Sequence, residues 1–143
     1  MIEFDSRLLA QIIAHGERAY PEEGAGFLLG HGDDPRRVEA VLPLPNSRED
    51  ASRRNRYLIT PRDVLRAEQE AADRGLDIVG VFHSHPDHPD LPSEFDREWA
   101  LPWFSYLITS VQAGKATGSR CWRLQEDRSA FFEEPLRIDA HDG

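Results

Sequence analysis

The chain has 143 residues, 39% hydrophobic and 30% charged, a composition that suits one soluble globular domain over residues 1–143 and excludes a disordered tail. A formal net charge of −9, with no Lys/Arg stripe interleaved with aromatics, opposes a phosphate backbone and excludes nucleic acid as a partner. Cys121 is the only cysteine, so an internal disulfide and zinc sites built on Cys pairs are excluded, and any metal has to be held by histidine and carboxylate.

The N-terminus, Met1-Ile2-Glu3-Phe4-Asp5, is acidic and lacks an apolar h-region, and no later stretch is long enough to span a bilayer. The expectation is a cytoplasmic protein without membrane contact. Over residues 6–19, Leu8, Leu9, Ile12, Ile13 and Ala19 share one helical stripe, with Asp5 or Ser6 as N-cap and Pro21 as the stop. Gly26 to Gly30 is a short apolar run between glycines, as in a buried strand, and Val38 to Leu44 is a second strand that would pair with it as a hairpin. Ser47 to Arg56 is polar throughout and reads as a surface loop. Thr60-Pro61-Arg62-Asp63 places a capping Thr, a first-turn Pro and an acid at the third helical position, and so predicts a helix through Ala72 that stops at Gly75. Strands are then expected over Leu76 to His85, Trp103 to Val111, Cys121 to Leu124 and Ala130 to Ile138, with the last residues fraying. Helices and strands mixed in this way predict an α/β fold with a central mixed sheet.

The chemistry concentrates between His83 and Asp96. Side chains alternate along a strand, so His83 and His85 face the same way, together with Val79 and Val81, and their imidazoles converge. Two histidines, one carboxylate and an open position for water form a common catalytic zinc arrangement. Pro86, Pro89 and Pro92 stiffen the loop that follows. Ser93-Glu94-Phe95-Asp96 then has the form of a helix start, which fixes the directions of Ser93 and Asp96 and makes Asp96 the candidate third ligand. The plainer reading is a cap at Ser93 and a packed or solvated histidine pair. His83 to His88 also fits the H-x-H-x-D-H signature of metallo-β-lactamase-like hydrolases, but those enzymes need further ligands from downstream segments, and the only later histidine is His141. Cys121 reads as a small buried residue, and Asp87 and His88 as loop residues without an assigned role.

The run His83-Ser84-His85-Pro86, followed by Ser93 and Asp96, resembles the H-S/T-H-P-x6-S-x2-D motif of the JAMM or MPN+ zinc metalloproteases, with all spacings kept. Glu23-Gly24-Ala25-Gly26, leading into an apolar strand, is similar to the upstream E-x-x-G element of that family, and the resemblance extends over most of residues 7–124. It implies a single-domain α-β-α sandwich of the deaminase-like MPN type holding one catalytic Zn2+ through His83, His85 and Asp96, with water as fourth ligand. It further implies that Glu23 is the general acid/base and that Ser93 donates to the developing oxyanion. Glu22 is the neighbouring rival for the role of base, and the E-x-x-G register favours Glu23. The substrate class implied is a peptide or isopeptide bond after the C-terminal glycine of a ubiquitin-like or sulfur-carrier β-grasp protein ending in Gly-Gly. A small-molecule metalloamidase and a non-catalytic scaffold are the alternatives, and the intact ligand set argues against the scaffold.

Overall fold

The computed structural model describes residues 1–32, 34–44 and 59–140. The polar segment Ser47 to Arg56, Tyr57 and the end of the chain from His141 lie outside the described residues.

Among the described residues, eight strands and three helices follow in the order β1 (Ile2–Asp5), α1 (Ser6–Ala19), β2 (Ala25–His31), β3 (Arg36–Leu44), α2 (Pro61–Asp73), β4 (Asp77–Pro86), α3 (Glu94–Trp99), β5 (Ser105–Gln112), β6 (Lys115–Leu124), β7 (Phe131–Glu134) and β8 (Leu136–Asp139). They form one mixed sheet in the order β7-β6-β5-β4-β2-β3-β1-β8. The β2–β3 hairpin is antiparallel, β4 pairs with β2 antiparallel and with β5 parallel, and β1 runs parallel to both β3 and β8. Strands β7 and β8 are separated by Pro135 alone yet sit at opposite edges, so the sheet is curled until its edges approach. Two bonds mark that closure: Ile2 N–H donates to the Pro135 carbonyl at 3.0 Å, and Arg36 Nη1 donates to Ser105 Oγ at 2.8 Å.

The curl creates two cores. On one face α1 contributes Ile12, with Leu8 and Leu9, to a core with Phe4, Leu28, Val79, Phe82 and Leu107. On the other, α2 inserts Ala67 and Ala71 against Phe27, Leu29, Val81 and Tyr106, and Phe95 of α3 packs at the margin. This is the α-β-α layering expected. Among the described residues no helix is long and apolar enough to cross a membrane.

The structure differs from the sequence reading at four points. Strand β1 was not foreseen: four residues are too few to carry a period, and Ile2 and Phe4 become fully buried only because β3 and β8 flank them. The segment Ala130 to Ile138 is two strands, broken at Pro135, which has no N–H for a ladder. Val79 does not share the face of Val81, His83 and His85. The β2–β4 register passes from Leu28↔Gly80 to Leu29↔Ile78, so Val79 is the extra residue of a bulge and turns into the α1 core. Its carbonyl accepts from Arg36 Nη1 at 2.9 Å. Strand β6 also begins earlier, at Lys115, than the expected Cys121.

Candidate metal centre

His83 and His85 stand at the carboxyl end of β4, between β2 and β5, and both are buried. Beyond them the chain is fastened to the sheet as well as stiffened by proline. Asp87 N–H donates to the Val111 carbonyl, Ser110 Oγ to the His88 carbonyl and Trp122 Nε1 to the Asp90 carbonyl. That path delivers Ser93 to the N-cap of α3 in a full capping box. Asp96 N–H donates to Ser93 Oγ at 3.2 Å, and Ser93 N–H donates to Asp96 Oδ2 at 2.7 Å. The other end of this short helix is held by Arg128, whose guanidinium donates to the carbonyls of Arg97, Glu98 and Ala100. The cap therefore aims the Asp96 carboxylate at the histidines.

The three groups converge tightly. His83 Nε2 lies 3.1 Å from His85 Nε2 and 3.1 Å from Asp96 Oδ1, and His85 Nε2 lies 3.2 Å from Asp96 Oδ2. His85 Nδ1 donates to the Pro89 carbonyl at 2.8 Å, which leaves the Nε2 lone pair of the neutral ring pointing inward. Donor atoms around tetrahedral zinc, at metal–ligand distances of about 2.1 Å, are about 3.4 Å apart, a spacing close to that between the two ring nitrogens and between each ring and its nearer Asp96 oxygen. Two imidazoles and a carboxylate gathered at this spacing away from water form a donor set that fits zinc.

The electrostatics favour ligation at His83 and Asp96, and at His85 a proton competes for the same lone pair. Burial favours the neutral form of His83 and holds its pKa below the usual histidine value, against the opposing pull of Asp96. Burial also pushes His85 down, but its hydrogen bond to Asp96, that carboxylate's charge and the Pro89 carbonyl outweigh it, and the net direction is up. Burial would raise Asp96, yet His83, His85 and the Ser93 N–H together hold it well below the carboxylate range, so it is ionised.

Glu23 enters from the neighbouring strand. It lies just before β2, is 3% exposed, and brings a carboxylate oxygen within 4.8 Å of ring nitrogens of both histidines. Its direction follows from pairing. Ala25 is opposite His83, and Ser84 N–H extends the ladder by donating to the Gly24 carbonyl at 2.9 Å. Glu23, two residues before Ala25, therefore falls on the histidine face, whereas Glu22 is only half-buried on the turn. An open cleft of about 480 Å³ leads to these groups, lined by Glu23, His85, His88, Leu91 and Ser93. Asp87 turns away from it: its carboxylate accepts from Tyr20 Oη at 2.6 Å and from Ala113 N–H at 2.9 Å, so the H-x-H-x-D-H run does not close on one point. Cys121 is buried against Glu134 and does not line this cleft, and burial pushes its thiol pKa up.

The sequence model of the prokaryotic homologues of the JAB domain matches residues 5–125. A probable TtuB-protein conjugate cleaving protease of Thermus thermophilus is 36% identical over 109 residues, 74% of this chain and 70% of the relative. Among solved structures, protein DSY2949 of Desulfitobacterium hafniense superposes with a TM-score of 0.84 at 32% identity, covering 99% of this chain and 94% of the other. AF2198, a JAB1/MPN domain protein of Archaeoglobus fulgidus, shares the fold at 19% identity with a TM-score of 0.61 over 95% of this chain and 97% of its own. With a family model spanning most of its length, the chain belongs to the prokaryotic homologues of the JAB domain.

Proposed function

We propose that this protein is a zinc-dependent peptidase or isopeptidase that cleaves after the C-terminal glycine of a small ubiquitin-like or sulfur-carrier β-grasp protein. The proposal takes residues 1–143 as one domain and the cytoplasm as the place of reaction. The observation that carries it is the convergence of Glu23 with the histidine pair at the foot of an open cleft. His83, His85 and Asp96 are the ligands in this reading. Zinc bound there supplies a Lewis acid that acidifies water and polarises the scissile carbonyl. Glu23, shielded from bulk solvent, takes the proton of the attacking water and then delivers it to the departing amine. Ser93 Oγ accepts the Asp96 N–H as helix cap and keeps its own hydroxyl proton to donate to the developing oxyanion at the cleft wall.

The shape of the cleft and the similarity to a probable TtuB-protein conjugate cleaving protease support this substrate class. The cleft is open rather than enclosed and is walled by Pro86, Pro89, Pro92 and Leu91, a stiff surface along which an extended tail without side chains can lie. The test is to incubate zinc-loaded wild type and Glu23→Gln with a β-grasp carrier ending in Gly-Gly fused to a short peptide, and to follow intact mass while matching zinc content. Cleavage after the terminal glycine by wild type alone is expected. Equal zinc with no cleavage by either protein would overturn the protein-tail substrate and favour a small amide.

A further inference from the structure

Asp87 stands just beyond the metal strand, outside the proposed ligand set, with φ of +58°, a left-handed conformation that glycine adopts without strain and few side chains do. Its carboxylate accounts for an aspartate there. One oxygen accepts from Tyr20 Oη at 2.6 Å and the other from Ala113 N–H at 2.9 Å, while its own N–H donates to the Val111 carbonyl at 2.8 Å. Tyr20 is the C-cap of α1 and is followed directly by the turn that carries Glu22, Glu23 and Gly24. A single side chain thus joins the end of β4, the β5–β6 turn and the head of the turn that bears the base. The tail of that turn is held separately, since Gly24 N–H donates to the buried Ser84 Oγ at 2.8 Å and Ser84 sits between the two histidines. The Glu23 turn is therefore pinned at both ends to the strand that supplies the metal ligands.

We propose that Asp87, acting through Tyr20, is a positioning residue that fixes the Glu23 carboxylate relative to His83 and His85. The inference rests on the reading of Glu23 as general base. A base displaced by about 1 Å costs up to about 100-fold in rate. Tyr20→Phe removes one hydroxyl and no packing, and should lower kcat by about tenfold while KM and bound zinc stay nearly unchanged, because Tyr20 itself neither lines the cleft nor belongs to the proposed ligands. Asp87→Gly keeps the backbone conformation, loses both side-chain bonds and should cost more. Asp87→Asn, which retains one carbonyl acceptor and tolerates the same conformation, should recover part of the loss.

The experiment measures kcat, KM and zinc content for these three variants, for Glu23→Gln, and for Glu23→Gln combined with Tyr20→Phe, with melting temperatures to establish folding. Support is a kcat loss confined to proteins that retain Glu23, with no further loss in the double variant. Wild-type kcat in Tyr20→Phe and Asp87→Gly beside an inactive Glu23→Gln would overturn the positioning role and leave the base in place. Full activity in Glu23→Gln would overturn the base itself, and with it this inference.

Discussion

Replacing Asp96 by Asn asks which carboxylate holds the metal. The substitution is nearly isosteric, and its amide oxygen can still accept from Ser93 N–H, so the cap of α3 survives while the anionic ligand is lost. Zinc in structural four-ligand sites binds with about 10–16 kcal/mol, about 3–4 kcal/mol for each ligand, so Kd should weaken by about 100- to 1,000-fold. At a zinc concentration about 1,000-fold above the wild-type Kd, ligand linkage stabilises wild type by about 4 kcal/mol and the variant by about 0.4–1.4 kcal/mol. For a chain of this size these figures correspond to a zinc-dependent rise in Tm of about 8–16 °C against about 1–6 °C. Chelator competition at pH 7 gives Kd directly, and melts with and without zinc give the shift. Glu23→Gln serves as the matched control and should bind zinc nearly as wild type does. If Asp96→Asn kept wild-type affinity while Glu23→Gln lost it, the assignment would be refuted. Glu23, whose carboxylate groups with both histidines, would then be the third ligand.

Zinc affinity should also fall with pH. The metal needs both imidazoles neutral, so Kd is expected to rise about tenfold per unit once one imidazole protonates and more steeply once both do, a titration readable by the same competition. Burial pushes the Tyr106 hydroxyl up to about 12, against an opposing hydrogen bond in which it accepts from Leu101 N–H at 2.7 Å. A folded-state pKa above the unfolded value of about 10 gives stability that is complete below pH 10 and lost as pH climbs towards 12, about 2–3 kcal/mol in all. Tyr106→Phe should abolish that alkaline loss in urea titrations. A Cβ added at Gly26 would lie 2.3 Å from Phe82 Cζ and 2.5 Å from the Leu42 carbonyl oxygen. Gly26→Ala should therefore cost about 1–3 kcal/mol, seen as a fall in Tm of about 3–10 °C. Cys121 should resist a thiol reagent in the native protein and react on unfolding, since burial raises its pKa.

What the sequence made legible was local chemistry. The α2 boundaries followed from Thr60, Pro61 and Asp63, whose capping box is complete, and the helix ends just before Gly75 at φ +68°. The convergence of His83 and His85 followed from alternation, and the direction of Asp96 from the Ser93 cap, because both devices act over three or four residues. The face of Val79 was not legible, because the bulge is a relation between β4 and β2 and leaves no mark in the residues of β4 alone. Nor was the split at Pro135 read as a change of edge, since only the curl of the whole sheet brings β7 and β8 to its two margins.

The choice between Glu22 and Glu23 belongs to both levels. Sequence offered only the E-x-x-G register, and the pairing of β2 with β4 explains the physics beneath it. A slip of one residue would turn Glu23 to the opposite face and bring Glu22 towards the histidines, so the position of the proposed base is only as well defined as the register. Two small residues pin it. Gly26 lies opposite Phe82 with no room for a Cβ, and Gly24 hands its N–H to Ser84. The glycine of the motif performs no chemistry. It lets β2 approach closely enough for the turn before it to bring a carboxylate to the two imidazoles, so the spacing from Glu23 to Gly26 states where the strand must stop sliding.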